Sequence, residues 1–255
     1  MKIQISHEVP IPLLETSLKW NDYDYSLVHL FDEYPKYYQF YKYHAKYRKQ
    51  IMDNSAYELG DSFDQAKFIS YVEDIKPSHY IIPDKIADFE TTLQYAREFP
   101  KLPGKSIGVL QGNTLEELIE CYQFMNELVD TIAIPFHSPY YQLIGESSPL
   151  QNMCSGRPLL VKKLLKLDVI NTKKEHHLLG CSLPREFSAY QGLPFITSLD
   201  TSNPVLLGLT GQLYPGIENL SSKIVIKMDS VINQETSHLE LIKNNVKTFR
   251  DFILN

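Results

Sequence analysis

The segment Phe195-Ile-Thr-Ser-Leu-Asp200-Thr-Ser-Asn-Pro204 is a short apolar run that stops at a carboxylate and is closed four residues later by a proline. An apolar, β-branched run of this length between turn residues is typical of a strand that is buried on both faces. We therefore predict a strand over Phe195–Leu199, with Asp200 delivered to a pocket at its carboxyl end.

Similar runs recur along the chain, separated by amphipathic segments at intervals of about 20 to 45 residues, as in repeated βα units with a parallel sheet. Eight runs predict an α/β fold, a (β/α)8 barrel that forms a single domain over residues 1–255 and is closed by a C-terminal helix. A doubly wound open sheet is the structural alternative. The predicted strands are Ile3–Ser6, Leu27–Phe31, Gln50–Asn54, Tyr80–Pro83, Ile107–Leu110, Thr131–Phe136, His177–Cys181 and Phe195–Leu199.

Amphipathic helices are predicted between these runs. Ser62–Ile75 carries an apolar stripe, and Thr114–Leu128 opens with a Thr-x-x-Glu capping box. Near the end, Ile224–Lys227 resembles a strand and a helix is predicted from about Glu235. The predicted buried face of that last helix comprises Leu239, Ile242, Val246, Phe249 and Phe252.

The composition is ordinary for a globular protein, with 43% hydrophobic and 22% charged residues, which argues against wholesale disorder. A net charge of −6 argues against a generally cationic surface but allows a local basic groove. Three widely spaced cysteines favour a reducing compartment over a disulfide framework. Because no signal peptide or membrane-length apolar run is seen, we expect a cytoplasmic protein without a membrane partner.

The predicted strand ends carry polar groups, and in a (β/α)8 barrel such ends surround one active site. Asp53 and Asp200 form the central pair, since glycosyl chemistry often uses one carboxylate as nucleophile and another to move a proton. The alternative is that each aspartate caps the turn or helix after its strand. The strand ends are His7-Glu8, Asp32-Glu33, Asp53-Asn54, Asp84, Gln111-Gly112, His137-Ser138, Gly180-Cys181-Ser182 and Asp200.

A second group of polar residues suits a purine base. The Asp84 carboxylate can accept from two adjacent N–H groups, and the Gln111 amide can donate to a carbonyl. Gly180 and Cys181 can bring bare backbone close to a planar ligand. The alternatives are a helix cap for Asp84, a backbone contact for Gln111 and a simple bend at Gly180. His176-His177 lacks the third ligand of a catalytic metal site, so neither a metal nor another cofactor is predicted.

Two segments combine features of nucleic-acid contacts. The segment from Tyr34 to Lys49 interleaves aromatic and basic residues, although its tyrosines also fall at the spacing of a packed helix face. A second basic cluster follows the sixth run, and its alternative is an ordinary solvated face. Its predicted contact residues are Arg157, Lys162, Lys163 and Lys166.

The motifs resemble those of the tRNA-guanine transglycosylases and, more closely, of their phage relatives that insert 7-deazaguanines into DNA. Met52–Glu58 resembles the family's Asp-Ser-Gly-Gly-Phe-Gln segment, and residues 200–204 reproduce the Asp-x-x-x-Pro of its nucleophile segment. Pro83-Asp84 resembles the strand end that reads the base, residues 108–112 resemble Val-Gln-Gly, and residues 179–183 resemble the Gly-Gly-Leu backbone contact.

This resemblance implies a pentosyltransferase that replaces guanine in DNA with a 7-deazaguanine such as 7-cyano-7-deazaguanine. Asp200 would be the nucleophile and Asp53 the general acid/base. The residues implied in base binding are Asp84, Gln111, Gly112, Gly180 and Cys181. Nucleic acid and the free base are the expected partners, and a homo-oligomer is left open.

The chain also departs from the family pattern. It has no cysteine beyond Cys181 and so lacks the zinc motif of the tRNA enzymes, and the family's glycine pairs appear here as Ser55-Ala56 and Gly112-Asn113. We therefore favour DNA over tRNA as substrate. The remaining alternatives are a tRNA-guanine transglycosylase, a nucleosidase or glycosidase that uses water, and a barrel that binds nucleobases or nucleic acid without catalysis.

Overall fold

The computed structural model describes residues 3–145, 148–214 and 226–254. Within them lie eight parallel strands, namely β1 (Gln4–His7), β2 (Asp24–Leu27), β3 (Gln50–Asp53), β4 (His79–Ile81), β5 (Lys105–Val109), β6 (Thr131–Pro135), β7 (Glu175–Leu179) and β8 (Ile196–Thr201). They form one sheet in the order β1-β8-β7-β6-β5-β4-β3-β2, which curls into a nearly closed barrel. The predicted (β/α)8 barrel is therefore confirmed.

Helices follow the strands around the outside of the barrel. They are α1 (Leu14–Ser17), α2 (Leu30–Glu33), α3 (Pro35–His44), α4 (Ala56–Leu59), α5 (Gln65–Ile75), α6 (Phe89–Glu98), α7 (Leu115–Leu128), α8 (Pro149–Lys166), α9 (Asn203–Leu209), α10 (Met228–Val231) and α11 (Leu239–Leu254). Short 3-10 segments occur at Ile11–Leu13, Pro139–Ile144 and Pro184–Tyr190. None of the helices described is both long and apolar enough to cross a membrane.

Side-chain caps decide where two outer helices begin. The Thr114 hydroxyl accepts from the Glu117 amide at 3.2 Å, which starts α7 where the capping box predicts. The Asp64 carboxylate accepts from the Lys67 amide at 2.8 Å, so α5 begins at Gln65. The predicted start at Ser62 was three residues too early.

The second predicted strand was placed wrongly. The strand is Asp24–Leu27, whereas the apolar residues after Leu27 turn into the short helix α2. The acidic Asp24 concealed this strand because its buried carboxylate is paired with Arg48, at an N···O distance of 3.0 Å. As a consequence Asp32 lies at the surface with Lys67, not at the rim of the barrel.

Other boundaries move by a few residues. Strand β7 is Glu175–Leu179, so Gly180 and Cys181 fall in the loop that follows it. Strand β8 extends to Thr201 and includes Asp200, and α11 begins at Leu239. The predicted strand at Ile224–Lys227 lies partly outside the described residues.

Helix α3 tests the packed-face interpretation of the tyrosine-rich segment. Tyr37 and Tyr41 are buried against the barrel, and the Tyr37 hydroxyl accepts from the Leu27 amide at 3.1 Å. Tyr43 and Tyr47 are exposed. The packed helix face is confirmed for the two buried tyrosines.

The C-terminal helix α11 packs against α9. A Cβ at Gly208 would lie 2.5 Å from Ile242, so the two helices approach closely only because this position is glycine. Ile242, Val246 and Phe249 are buried as predicted, whereas Phe252 is half exposed. The predicted apolar face was therefore one turn too long.

Within the described residues, no strand ladder joins β1 to β2. We call this gap the seam. Two side chains bridge it, because Asn21 exchanges hydrogen bonds with both the amide (2.8 Å) and the carbonyl (2.9 Å) of His7, and the Asp22 carboxylate accepts from the Ile5 amide at 2.9 Å. Arg250 on α11 donates to Asp22 at 2.9 Å. One backbone hydrogen bond, from the Asp22 amide to the Ile5 carbonyl at 2.9 Å, also crosses the seam, so side chains and this single bond replace a backbone ladder there.

Candidate active site

One cavity lies at the carboxyl ends of the eight strands. It brings together most of the predicted site residues, which come from five different strand ends. Those that line it are Asp53, Asp84, Gln111, Gly180, Cys181 and Asp200. Gly112 does not line it, because this glycine packs against the start of α7, where an added Cβ would lie 3.0 Å from Glu117. The prediction that Gly112 contacts the base is therefore not supported.

Asp200 lines the cavity, and the hydrogen bonds that described residues make to its carboxylate fall on one oxygen. Its Oδ1 accepts from the Gly180 amide at 2.9 Å and lies 3.0 Å from Nε2 of His177. Among the residues that the structure describes, none hydrogen bonds to Oδ2. The side chain is buried and its backbone is held in β8. This geometry suits a nucleophile whose free oxygen is aimed by two donors on the other.

Gly180 is required at its position by backbone conformation. Its φ of +66° lies in the left-handed region that favours glycine, and this turn directs its amide at Asp200. The Cys181 carbonyl in turn accepts from the Thr201 hydroxyl at 2.9 Å. The two backbone groups thus bind β8 side chains, which leaves less free backbone for a ligand than we expected from the glycine alone.

Asp53 occupies a different environment at the end of β3. Its Oδ2 accepts from the Tyr25 hydroxyl at 2.7 Å, and its Oδ1 accepts from the Ser55 amide at 3.2 Å. Burial raises the pKa of Asp53 from its ordinary 3.8 to about 7, with a further increase from the nearby Asp200 charge. A substantial fraction of Asp53 therefore carries a proton near neutral pH.

Tyr25 and His177 connect the two aspartates inside the barrel. Their rings stack with centroids 6.2 Å apart and planes 16° apart. Tyr25 donates to Asp53, and His177 contacts Asp200. The stacked pair thus spans from one carboxylate to the other.

Asp84 is held by two amide side chains. Asn54 Nδ2 donates to Oδ1 and Gln111 Nε2 donates to Oδ2, each at 2.7 Å. Burial raises the pKa of Asp84, and these two hydrogen bonds oppose that increase. Because Oε1 of the Gln111 side chain also accepts from the Ala87 amide at 3.0 Å, the side chain is fixed and orients Asp84 as well as lining the cavity. A carboxylate oxygen accepts more than one hydrogen bond, so Asp84 retains capacity for a ligand.

Arg157 is not exposed for contact with nucleic acid. Its side chain is fully buried, its Nε lies 2.6 Å from Glu186 Oε1, and its Nη1 donates to the Leu179 carbonyl at 3.2 Å. Its Nη2 contacts the Cys181 sulfur at 3.3 Å. The prediction from the basic cluster was wrong here, because the helix turns this one cation inward to hold the loop beside Asp200.

The lysines of that cluster remain at the surface. Lys162, Lys163 and Lys166 are exposed on α8, and none of them lines the cavity. Lys163 donates to the Tyr140 hydroxyl at 3.3 Å. Since α8 runs back toward the amino ends of the strands, Lys166 lies away from the site, as the solvated-face alternative implies.

The cavity is rich in carboxylates. Glu8 and Glu58 line it in addition to the three aspartates, whereas the described lining residues include one lysine, Lys227, and no arginine. Lys227 donates to the Glu58 carbonyl at 2.7 Å. The negative interior disfavours phosphate groups there and suits a neutral or cationic ring system.

His177, Asp200 and Ser198 also resemble a hydrolase triad in composition. Nδ1 of His177 lies 2.9 Å from the Ser198 hydroxyl, but Ser198 is buried and does not line the cavity. A triad needs its serine at the substrate. This arrangement therefore does not support acyl transfer by Ser198.

Sequence reasoning missed Tyr25 and the role of His177, and it noted Asn54 only as a neighbour of Asp53. Tyr25 lay in the strand that was placed wrongly, and His177 lies within β7 instead of at its end. The alternation of Tyr23, Tyr25 and Leu27 was the signal that could have revealed β2, since alternate residues of a strand share a face. Among the described residues, no cluster of His, Cys, Asp or Glu could hold a metal ion.

Comparisons with known proteins do not identify the chain. No protein-family model matches it, and no curated protein matches it. A proposal of function therefore depends on the cavity geometry and on the motif resemblance.

Proposed function

We propose that the protein is a base-exchange transglycosylase that replaces guanine in a nucleic acid with a 7-deazaguanine. The observation that carries this proposal is the pair of aspartates in one cavity: Asp200 has an oxygen free for attack, and Asp53 is buried so that it holds a proton near pH 7. One group fits a nucleophile and the other a general acid/base.

In the proposed reaction, Asp200 Oδ2 attacks C1′ of the target guanosine. The C1′–N9 bond breaks, its electron pair goes to the departing guanine, and Asp53 supplies the proton, which leaves a glycosyl ester on Asp200. The incoming base then attacks C1′ as the ester bond breaks, and Asp53 recovers a proton from that base. Both half-reactions use the same two side chains, and no water is consumed.

Asp84 supports a purine-like ligand. Its carboxylate is buried at the cavity and fixed by Asn54 and Gln111, so its remaining lone pairs can accept from adjacent N–H groups of a guanine edge. Because Asp84 and Asp200 are both buried, a base in a duplex would have to leave its stack to reach them. The acidic lining is compatible with a base that lies inside the cavity and phosphate groups that remain outside it.

The choice of DNA over tRNA, and of a phage-type activity, comes from the motif resemblance. The test is to offer DNA and tRNA side by side with labelled 7-cyano-7-deazaguanine and labelled guanine. We expect label in DNA without net loss of bases. Incorporation into tRNA alone would overturn the DNA assignment.

The same experiment separates the other functions. Release of guanine into water without incorporation would indicate a nucleosidase that uses the same aspartates. Binding of base or nucleic acid with neither exchange nor release would indicate a binding protein. Either result would refute the proposed transglycosylase.

A further inference from the structure

His177 lies on β7 with its ring inside the barrel, directly beneath Asp200. Its side chain is completely buried, and its Nε2 lies 3.0 Å from Asp200 Oδ1. Nothing in the resemblance assigns it a role. Its ring is held on three sides, by Asp200, by the Ser198 hydroxyl at 2.9 Å from Nδ1, and by the stacked ring of Tyr25.

The partners of the ring determine how it is protonated. A carboxylate oxygen only accepts hydrogen bonds, so Nε2 must carry the hydrogen that is donated to Asp200. In the neutral ring Nδ1 then accepts, and the Ser198 hydroxyl donates to it. Asp200 thus selects the tautomer that points an N–H at it, and the Ser198 hydroxyl stabilises that tautomer by donating to Nδ1.

We propose that His177 is a positioning residue for Asp200, which with the Gly180 amide holds Oδ1 and so directs Oδ2 at the reacting carbon. This inference rests on the proposed function, in which Asp200 is the nucleophile. Two donors on one oxygen fix both the rotation of the carboxylate and the identity of the attacking atom. A misplacement of about 1 Å costs on the order of 10²-fold in rate, so loss of one donor should be visible in the chemical step.

The neighbouring His176 provides a matched control. It is equally buried on the same strand, but its side chain points to the outer layer, where Nε2 lies 2.9 Å from the Tyr122 hydroxyl and Nδ1 2.9 Å from the Lys174 carbonyl. It does not line the cavity. Loss of either histidine should therefore disturb packing, but only loss of His177 should disturb Asp200.

The experiment measures the rate of the covalent nucleic acid adduct and the affinity for free base in three variants. We expect His177→Phe to slow adduct formation on the order of 10²-fold with base affinity unchanged, because ring packing is kept and the donor is lost. His177→Gln, which keeps an N–H donor, should restore most of the rate. His176→Phe should form adduct within about twofold of the wild-type rate, since it leaves Asp200 untouched.

The proposal would be overturned if His177→Phe formed adduct at the wild-type rate. It would also be overturned if His177→Phe and His176→Phe lowered the rate of adduct formation equally. If His177→Phe does not fold, Ser198→Ala takes its place, because it frees the ring without touching Asp200. We then expect slower adduct formation with unchanged base affinity. An unchanged rate in Ser198→Ala would count against the proposal.

A second measurement separates this inference from the proposed function. The wild-type proton NMR spectrum should contain a downfield His177 ring N–H signal that Asp200→Ala removes, whether or not the protein forms an adduct. If no adduct forms with any nucleic acid but this signal behaves as expected, the proposed function fails. If adduct forms and the signal is unaffected by Asp200→Ala, the role of His177 fails.

Discussion

The carboxyl ends of β8 and β3 each present an aspartate to the same cavity, yet the two surroundings differ. Asp200 lines the cavity and receives a backbone amide and a histidine ring N–H on one oxygen, while no described residue hydrogen bonds to the other. Asp53 receives a tyrosine hydroxyl and an amide on separate oxygens, and burial raises its pKa. Identical side chains thus acquire different chemistry from the donors around them.

The largest expected effect is that of Asp200→Asn. The amide keeps the shape of the side chain but is a poor nucleophile, so we expect base exchange to fall by about 10⁴-fold or more. Mass spectrometry of protein mixed with nucleic acid should show no adduct, while circular dichroism should show a folded barrel. An adduct at wild-type yield in this variant would remove Asp200 from the mechanism.

Asp53→Asn should have a smaller effect on the same reaction. An amide cannot exchange the proton with the bases, and general acid/base groups typically contribute about 10²–10⁴-fold to a rate. The adduct should still form on a substrate whose leaving group needs no proton. If Asp53→Asn lowers the rate of adduct formation as much as Asp200→Asn does with both kinds of substrate, the proposed division of roles between the two aspartates is wrong.

The pH dependence of stability tests the raised pKa of Asp53 independently of catalysis. The folded state holds a proton that the unfolded state releases between about pH 4 and 7, so the free energy of unfolding should fall as pH rises through this window. The contribution is on the order of a few kcal/mol. Asp53→Asn should remove this part of the decline. The free energies of unfolding of the wild type and the variant are measured by denaturation at pH 5 and at pH 8, and the change between the two pH values is compared. Parallel stability curves would contradict the raised pKa.

Tyr25→Phe should produce the smallest change. The Tyr25 hydrogen bond lowers the pKa of Asp53 against the effect of burial, so its loss should raise that pKa further. The ring remains stacked on His177, and we expect a loss of stability of about 1.5 kcal/mol. Carbon-13 NMR titration of Asp53 in both proteins measures the shift. A lower pKa in the variant would show that the hydroxyl favours the protonated carboxyl.

The barrel was predictable because its strands are buried on both faces. Thr131–Pro135, for example, is buried at every position and reads as a continuous apolar run. Strand β2 was missed because Asp24 interrupts its pattern and is neutralised by Arg48, a partner 24 residues away. Such a pairing depends on the fold and cannot be read from local sequence.

The aspartates of the site were predictable from their positions after apolar runs, but their partners were not. His177 and Tyr25 lie within strands, where polar or aromatic residues are usually structural. Arg157 looked like one cation of a surface cluster, and only the packing of α8 reveals that it is buried against Glu186. The direction in which a side chain points was the missing information.

The seam between β1 and β2 lies between the two aspartates, since Asp200 is on β8 beside β1 and Asp53 is on β3 beside β2. Elsewhere the wall is a continuous backbone ladder, but here it is joined by side-chain hydrogen bonds from Asn21 and Asp22 and by one backbone hydrogen bond from Asp22 to Ile5. We expect local opening to cost less free energy at the seam than in the ladders, and such opening would widen the gap between Asp200 and Asp53 without breaking a strand ladder. Amide hydrogen exchange at Ile5 and His7 would measure the free energy of this opening. We expect a ligand in the cavity to slow the exchange.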